Sequence, residues 1–99
     1  MWKQEKNVAI FSSFLAAIKD FELSLDENHE AVMKIISTGG PPLLSNCGQY
    51  IHPDLVQFEG TIDGQPAATL MHISQLNVTL ISVPVTEERP KRTIGFKID

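Results

Sequence analysis

Cysteine and positive charge are both scarce in this chain. Cys47 is its one cysteine, so no disulfide can form within the chain, and a reducing, cytoplasmic compartment is expected. Residues 35–88 contain neither lysine nor arginine. The net charge is −4, which argues against binding of duplex nucleic acid through bulk electrostatics, because phosphate contacts need a basic face.

Long apolar runs are also missing. No segment approaches the roughly 18 apolar residues of a membrane-spanning helix, so no membrane partner is expected. Lys3 and Lys6 precede an apolar stretch as in a signal peptide. Ser12 and Ser13 interrupt that stretch and an amphipathic pattern continues, which favours a helix over a cleaved leader. The chain length predicts a single domain over residues 1–99.

The first third of the chain has helical periodicity. Apolar residues recur at steps of three and four, which predicts a helical arm over residues 7–37. Asn7 is placed to cap its start, and the Gly-Gly-Pro-Pro segment at 39–42 is placed to end it. Asp26 could cap a second helix. The arm is therefore either one helix or two helices with a kink near residue 25.

The length of this arm bears on assembly. A continuous helix of about 30 residues would extend about 45 Å, whereas a domain of this size has a radius of gyration of only about 13 Å. Its apolar stripe would then need a partner chain, so we expect a homo-oligomer, a dimer or an assembly of dimers. The alternative is a kinked pair of helices that folds back on one sheet.

Residues 43–98 predict a mainly antiparallel sheet of about five strands, which with the helical arm makes an α+β fold. Asp63-Gly64 predicts a type I′ hairpin turn that places Phe58 opposite Thr69. In the run 78–85, apolar residues occupy both odd and even positions. This is typical of a strand that is covered on both faces or lies at a subunit interface. The strands are expected over residues 43–51, 55–62, from 65 onwards, 78–85 and 93–98.

Signatures of catalysis are absent from the sequence. The Gly-Gly pair at 39–40 is followed by Pro-Pro, which excludes a phosphate-binding loop, and no serine elbow occurs. His29, His52 and His72 lack the spacing of a metal site. Cys47 has no nearby histidine and is expected to be a small core residue. We therefore expect neither an enzyme nor a bound cofactor or metal.

The last third of the chain offers groups that can bind an anion. Arginine carries a planar fork that suits phosphate oxygens, amides can read a base or ribose edge, and aromatic rings can stack on a base. The candidate ligand-binding residues are Arg92 and Lys91 for phosphate, Asn77 and Gln75 as amides, and Phe96, Phe58 and Tyr50 for stacking. In the alternative interpretation, which spacing alone favours, Arg92 pairs with Glu87 or Glu88 and Asn77 is a turn residue.

Three segments of this chain resemble a known family. They are HPDLVQFEG at 52–60, LMHISQLN at 70–77 and RPKRTIGF at 89–96. They resemble a family of small phage and bacterial proteins that looks like the one containing the phage Thoeris anti-defence sponges, over roughly residues 20–98. The motifs are short, and the helical arm cannot be aligned.

The resemblance implies a binding protein without catalysis. Such sponges sequester the cyclic ADP-ribose isomer made by TIR-domain defence enzymes, some also hold cyclic di- or trinucleotides, and they assemble as dimers and higher oligomers. By this resemblance Asn77 and Arg92 fall in the motifs expected to touch the ligand, and the protein would act in the host bacterial cytoplasm. Two other functions stay open: direct binding of a host protein, and enzymatic cleavage of such signals.

Overall fold

The computed structural model describes residues 2–36, 40–86 and 88–98, and it confirms the predicted α+β class. Over these residues one helix precedes six strands, and a single 3-10 turn joins the fourth strand to the fifth. The elements are α1 (Trp2–Leu23), β1 (His29–Ile35), β2 (Leu43–Ile51), β3 (Leu55–Ile62), β4 (Gln65–His72), the 3-10 turn (Ile73–Gln75), β5 (Thr79–Pro84) and β6 (Gly95–Ile98).

The strands form one sheet in the order β4-β3-β2-β1-β5, with antiparallel neighbours throughout. The last strand, β6, lies off this path and pairs in parallel with residues 47–50 of β2. On the same side of β2, residues 43–45 pair with the end of β1. The first half of β1 therefore pairs only with β5, and the chain segment before β6 lies beside it.

The predicted helical arm over residues 7–37 is wrong in its second half. The helix ends at Leu23, where the Ser24 hydroxyl donates to the carbonyl oxygen of Phe21 at 2.6 Å, and Asp26 then accepts the Asn28 backbone N–H at 2.8 Å. Residues 29–35 form β1, between β2 and β5. Its apolar residues fit a period of two as well as a helical period, and pairing with two strands decides between them.

Two consequences of the predicted arm fail with it. Asn7 does not cap the helix, because the helix already includes Trp2 and Asn7 lies in its interior. With 22 residues in α1, the length-based reason for an oligomer no longer applies. Of the predicted helix stop at 39–42, residue 39 lies outside the described residues, and the element before this segment is a strand.

The helix packs on one face of the sheet through aromatic rings. Phe11 contacts Tyr50 at a centroid separation of 5.0 Å, and Phe14 contacts Phe58 edge-on at 6.2 Å. Phe96 of β6 packs edge-on against Phe11 at 5.5 Å and against Phe58 at 5.8 Å. Such rings bury large apolar areas, so this cluster joins the first helix, the middle of the sheet and the last strand.

The predicted hairpin is confirmed with its register. Asp63 and Gly64 have φ angles of 50° and 78°, and a type I′ turn requires positive φ at both central positions. Phe58 lies opposite Thr69 as predicted. Because the turn fixes the pairing, Phe58 faces the helix and the alternate residues of β3 face the other side of the sheet.

The turn after β2 is tied to the helix. The His52–Pro53 peptide bond is cis, and the Pro53 carbonyl oxygen accepts hydrogen bonds from the Asn7 amide at 3.1 Å and from the Tyr50 hydroxyl. Asn7 is buried, and its hydrogen bond to the Pro53 carbonyl satisfies a donor of its own amide. This contact orients α1 across the sheet.

Candidate functional site

A pocket opens on the face of the sheet opposite the helix. Its volume is about 390 Å³, near the lower end of small-molecule sites. It lies between β1, β5, the start of β2 and the end of β3. The wall is apolar over most of its area and carries a few polar groups. The lining residues are Glu30, Ala31, Val32, Leu44, Ser45, Asn46, Gly60, Thr61, Ile81, Val83 and Arg92.

A β-bulge forms one wall of this pocket. The register shifts between Ser45 and Cys47, so Asn46 has no residue opposite it on β3. Gly60 permits the close approach, since a Cβ atom there would lie 1.8 Å from the Leu44 carbonyl oxygen. Bulges redirect side chains and are common beside functional sites. Here the bulge places Asn46, whose amide makes no hydrogen bond to the described residues, at the pocket.

The bulge is held by a buried hydroxyl. The Ser45 Oγ atom lies 2.6 Å from the Glu59 carbonyl oxygen and 2.8 Å from that of Cys47, and it can donate to either. Ser45 is 3% exposed. A backbone carbonyl freed by the bulge therefore has a donor close at hand, which stabilises the irregular pairing.

An ion pair fixes the opposite wall. The two Arg89 terminal nitrogens donate to the two Glu30 carboxylate oxygens at 2.9 and 2.7 Å, and the Arg92 backbone N–H donates to Glu30 Oε1 at 2.9 Å. The Glu30 side chain is 7% exposed. Bidentate arginine–carboxylate pairs combine strength with fixed geometry. This pair therefore sets where residues 88–94 cross the first half of β1.

Two further acceptors hold the same segment. The Lys91 ammonium group donates to the Asp26 carbonyl oxygen at 2.8 Å, and the Ile94 N–H donates to the Glu22 carboxylate at 2.8 Å. The segment between β5 and β6 is thus bonded to the end of α1, to the following turn and to β1. Lys91 points to that turn and does not line the pocket.

Among the charges of Glu30, Arg89 and Arg92, one positive charge is not balanced. The Arg89 guanidinium and the Arg92 backbone N–H lower the pKa of Glu30 to about 2, so Glu30 is an anion at neutral pH and balances Arg89. The Arg92 guanidinium makes no hydrogen bond or ion pair with the residues that the structure describes. Glu87, one of its two expected partners, lies outside them. An anion that enters the pocket would therefore meet Arg92.

Of the seven residues proposed from the sequence to bind ligand, Arg92 is the one that lines this pocket. Phe58 is 0% exposed inside the aromatic cluster, so it has no ring face for a ligand, and Phe96 packs in the same cluster. Tyr50 is buried there too. Gln75 and Asn77 are exposed on the connection from β4 to β5, away from the pocket. Their contact with a ligand stays a prediction.

Sequence reasoning missed three members of the site: Asn46, Glu30 and Arg89. A glycine inside an apolar strand often marks a bulge, so Gly60 was the available signal for Asn46. Glu30 falls within the predicted helical arm over residues 7–37, whereas the structure places it in β1. Arg89 begins the segment at 89–96 that was quoted for its resemblance, and its guanidinium pairs with Glu30.

The His72 side chain has a structural role. Ser74 N–H donates to His72 Nδ1 at 3.1 Å, and His72 Nε2 lies 3.2 Å from Asp54, an arrangement that caps the 3-10 turn.

Cys47, expected in the core, is half-buried on the open face, where burial raises the pKa of its thiol. A thiol with a raised pKa is a poor nucleophile.

Across residues 2–36, 40–86 and 88–98, no cluster of three or more His, Cys, Asp or Glu side chains could hold a metal ion. Within the same ranges, no helix has the length and apolar character needed to cross a membrane.

Comparison with known proteins gives a family and no characterised relative. No curated protein matches the chain, and no solved structure matches it. One family model matches residues 3–97, which is nearly the whole chain. The protein therefore belongs to the family of unknown function DUF6173.

Proposed function

We propose that this protein binds a cyclic nucleotide immune signal without turning it over, and so withholds the signal from anti-phage defence. The ligand would be a cyclic ADP-ribose isomer or a cyclic oligonucleotide. The observation that carries the proposal is Arg92, whose charge is not balanced by Glu30, at the edge of a largely apolar pocket. The resemblance of residues 89–96 to the sponge family supports the same conclusion.

The pocket matches the parts of such a ligand. The planar guanidinium of Arg92 suits the oxygens of a pyrophosphate. The Asn46 amide can both donate to and accept from a base or ribose edge. Val32, Ile81 and Val83 form an apolar surface against which a base or ribose can pack. Aromatic stacking on Phe58 or Phe96, expected from the sequence, is not part of this proposal because Phe58 is fully buried and neither ring lines this pocket.

The chemistry of the pocket favours binding over catalysis. Glu30 is the carboxylate that lines it, and three hydrogen bonds occupy its oxygens. With a pKa of about 2 it is a weak base and is not protonated near neutral pH. Efficient general acid–base groups have a pKa near the working pH. A ligand held beside Glu30 would therefore be expected to leave unchanged.

The test is retention of the ligand in intact form. The protein is incubated with the cyclic ADP-ribose isomer of a TIR-domain enzyme, passed through gel filtration and denatured by heat, and the released molecule is identified by mass. Intact ligand in the protein peak is expected. Altered mass or fragments would indicate an enzyme. No retained ligand, with cyclic oligonucleotides also tested, would contradict the proposal.

Two matched variants place the ligand. Arg92→Met removes the cation at the pocket, and Lys97→Met removes an exposed cation elsewhere on the same face of the sheet. Loss of a charge-assisted hydrogen bond costs about 1.5–3 kcal/mol, so Arg92→Met should weaken binding about 10- to 100-fold in titration calorimetry. Lys97→Met should change it little. Equal effects of both variants would refute this site.

A second candidate function has its own support. The open face carries exposed leucines at positions 44, 55 and 70, with 43%, 38% and 60% of their surface accessible. Exposed apolar surface favours a protein partner, so direct binding of a host protein is the alternative. A host protein captured from lysate, with no small molecule released from the complex on heating, would favour this function over sequestration.

A further inference from the structure

Within residues 2–36, 40–86 and 88–98, no strand pairs with the outer edge of β5. β5 is the last strand of the sheet path, and β1 lies on its inner side. Val85 N–H donates to the Asn28 carbonyl oxygen at 2.9 Å, which fixes the alternation of the ladder. In an antiparallel ladder alternate residues point their N–H and C=O groups to opposite sides. Leu80 and Ser82 therefore direct both groups away from β1, and Pro84, which has no N–H, directs its carbonyl group there.

This edge lacks the features that usually prevent strand addition. Native sheets protect edge strands with charged residues, proline, bulges or a covering segment. Residues 79–86 carry no charge, the register with β1 contains no bulge, and proline occurs only at the end of the strand. Leu80, Ile81 and Val83 are half-exposed on the two faces. The sequence of this strand predicted that its apolar residues are covered on both faces or lie at a subunit interface. In a single chain they are only partly covered.

The opposite edge strand, β4, is less suited to association. It also carries a proline near its start, and two alanines follow. Small side chains offer little apolar area to bury, whereas β-branched residues such as Ile81 and Val83 pack well across neighbouring strands. The pocket also adjoins β5 and not β4.

We propose that two copies of this chain pair antiparallel along β5 to form one continuous sheet. The two-fold axis lies midway between the Ile81 residues of the two copies, so Ile81 faces its counterpart in the partner subunit. Leu80 of each copy then exchanges backbone hydrogen bonds with Ser82 of the other. Centring on Ser82 is less favourable, because Leu80 would face Pro84, which has no N–H to give.

This pairing places the two pockets side by side. An axis perpendicular to the sheet keeps both open faces on the same side, and Ile81 and Val83 line the pocket. We call the contact between the two β5 strands the seam. Across it Val83 would face Thr79 of the partner subunit. The seam thereby extends the apolar wall of each pocket. Only this last consequence rests on the proposed function, since the pairing itself requires no ligand.

Charge at the two-fold axis tests the seam. Directly opposed like charges destabilise strand pairs. Ile81→Lys and Ile81→Glu should each convert a dimeric wild type to monomer in light scattering after gel filtration. An equal mixture of the two variants should recover a dimer of mixed mass. Leu70→Lys, on the exposed face of β4, is the control and should stay dimeric.

Hydrogen exchange of the ligand-free wild type gives a test without substitution. In the dimer the Leu80 and Ser82 amides are bonded across the seam and should exchange as slowly as the Ile81 amide, which faces β1. In a monomer they face water and should exchange much faster. A monomeric wild type, a dimer unaffected by charge at Ile81, or a dimer broken by Leu70→Lys would each overturn the proposal. Ligand binding by a monomer would overturn the seam and leave the proposed function intact.

Discussion

Replacing Arg89 with methionine tests whether the Glu30–Arg89 pair holds the fold. The variant keeps most of the aliphatic stem and leaves the Glu30 carboxylate buried without its bidentate partner. Removing one member of a buried ion pair costs about 3–5 kcal/mol. The depression of the pKa of Glu30 from 4.5 to about 2, caused first by Arg89 and second by the Arg92 backbone N–H, agrees in sign with this cost. The free energy of unfolding, measured by urea denaturation, should fall by this amount.

The effect has a defined pH dependence. The folded-state pKa of Glu30 is depressed, so its stabilising contribution is full above the ordinary value of 4.5 and is lost as pH falls towards about 2. Below this range Glu30 is protonated in both proteins. The difference in stability between wild type and Arg89→Met should therefore hold from pH 7 to about 4.5 and narrow as pH falls from there towards about 2.

Two control variants sharpen the experiment. Lys19→Met removes one positive charge at an exposed helix position, so it reproduces the change in net charge and should alter stability by less than about 0.5 kcal/mol. Adding Glu30→Gln to Arg89→Met removes the buried charge and should recover part of the lost stability. A loss below about 1 kcal/mol that does not change with pH would refute the assigned role of the pair.

Two other substitutions test local contacts. Gly60→Ala should destabilise the protein by at least about 1–3 kcal/mol, because its Cβ would lie 1.8 Å from the Leu44 carbonyl oxygen. Gly95→Ala has no atom within 4 Å of the added Cβ and should change the thermal midpoint little, so equal shifts would contradict this account. Asn7→Ala removes the hydrogen bond to Pro53 and should cost about 1 kcal/mol in urea denaturation. An unchanged midpoint would show that the contact does not stabilise the fold.

Much of the sheet could be predicted because its signals are local. The alternation of residues 55–62 and the Asp63-Gly64 turn together determine a strand, a hairpin and a register. The segment at 29–35 has no such turn, and its apolar positions suit both a helix and a strand. Its pairing with β2 and β5 decides the outcome, and those strands lie far away in sequence.

The site was less predictable for the same reason. Arg92 was recognised by its residue type, but its charge is available only because Glu30 balances Arg89, and this pairing spans most of the chain. Asn46 reaches the pocket through a bulge that depends on Gly60 of the neighbouring strand. The position of each group thus depends on contacts between distant segments, which no local pattern reports.

The parallel pairing of β6 with β2 has a consequence for folding. Phe96 of β6 completes an aromatic cluster that also includes Phe11 of α1. The core therefore closes only when the last strand meets the first helix. Contacts between residues far apart in sequence require closure of large loops and slow the folding reaction. During synthesis the helix and hairpin would form early, yet the rings of α1 would stay partly uncovered until β6 docks. Until then the nascent chain would be most exposed to aggregation and to chaperones.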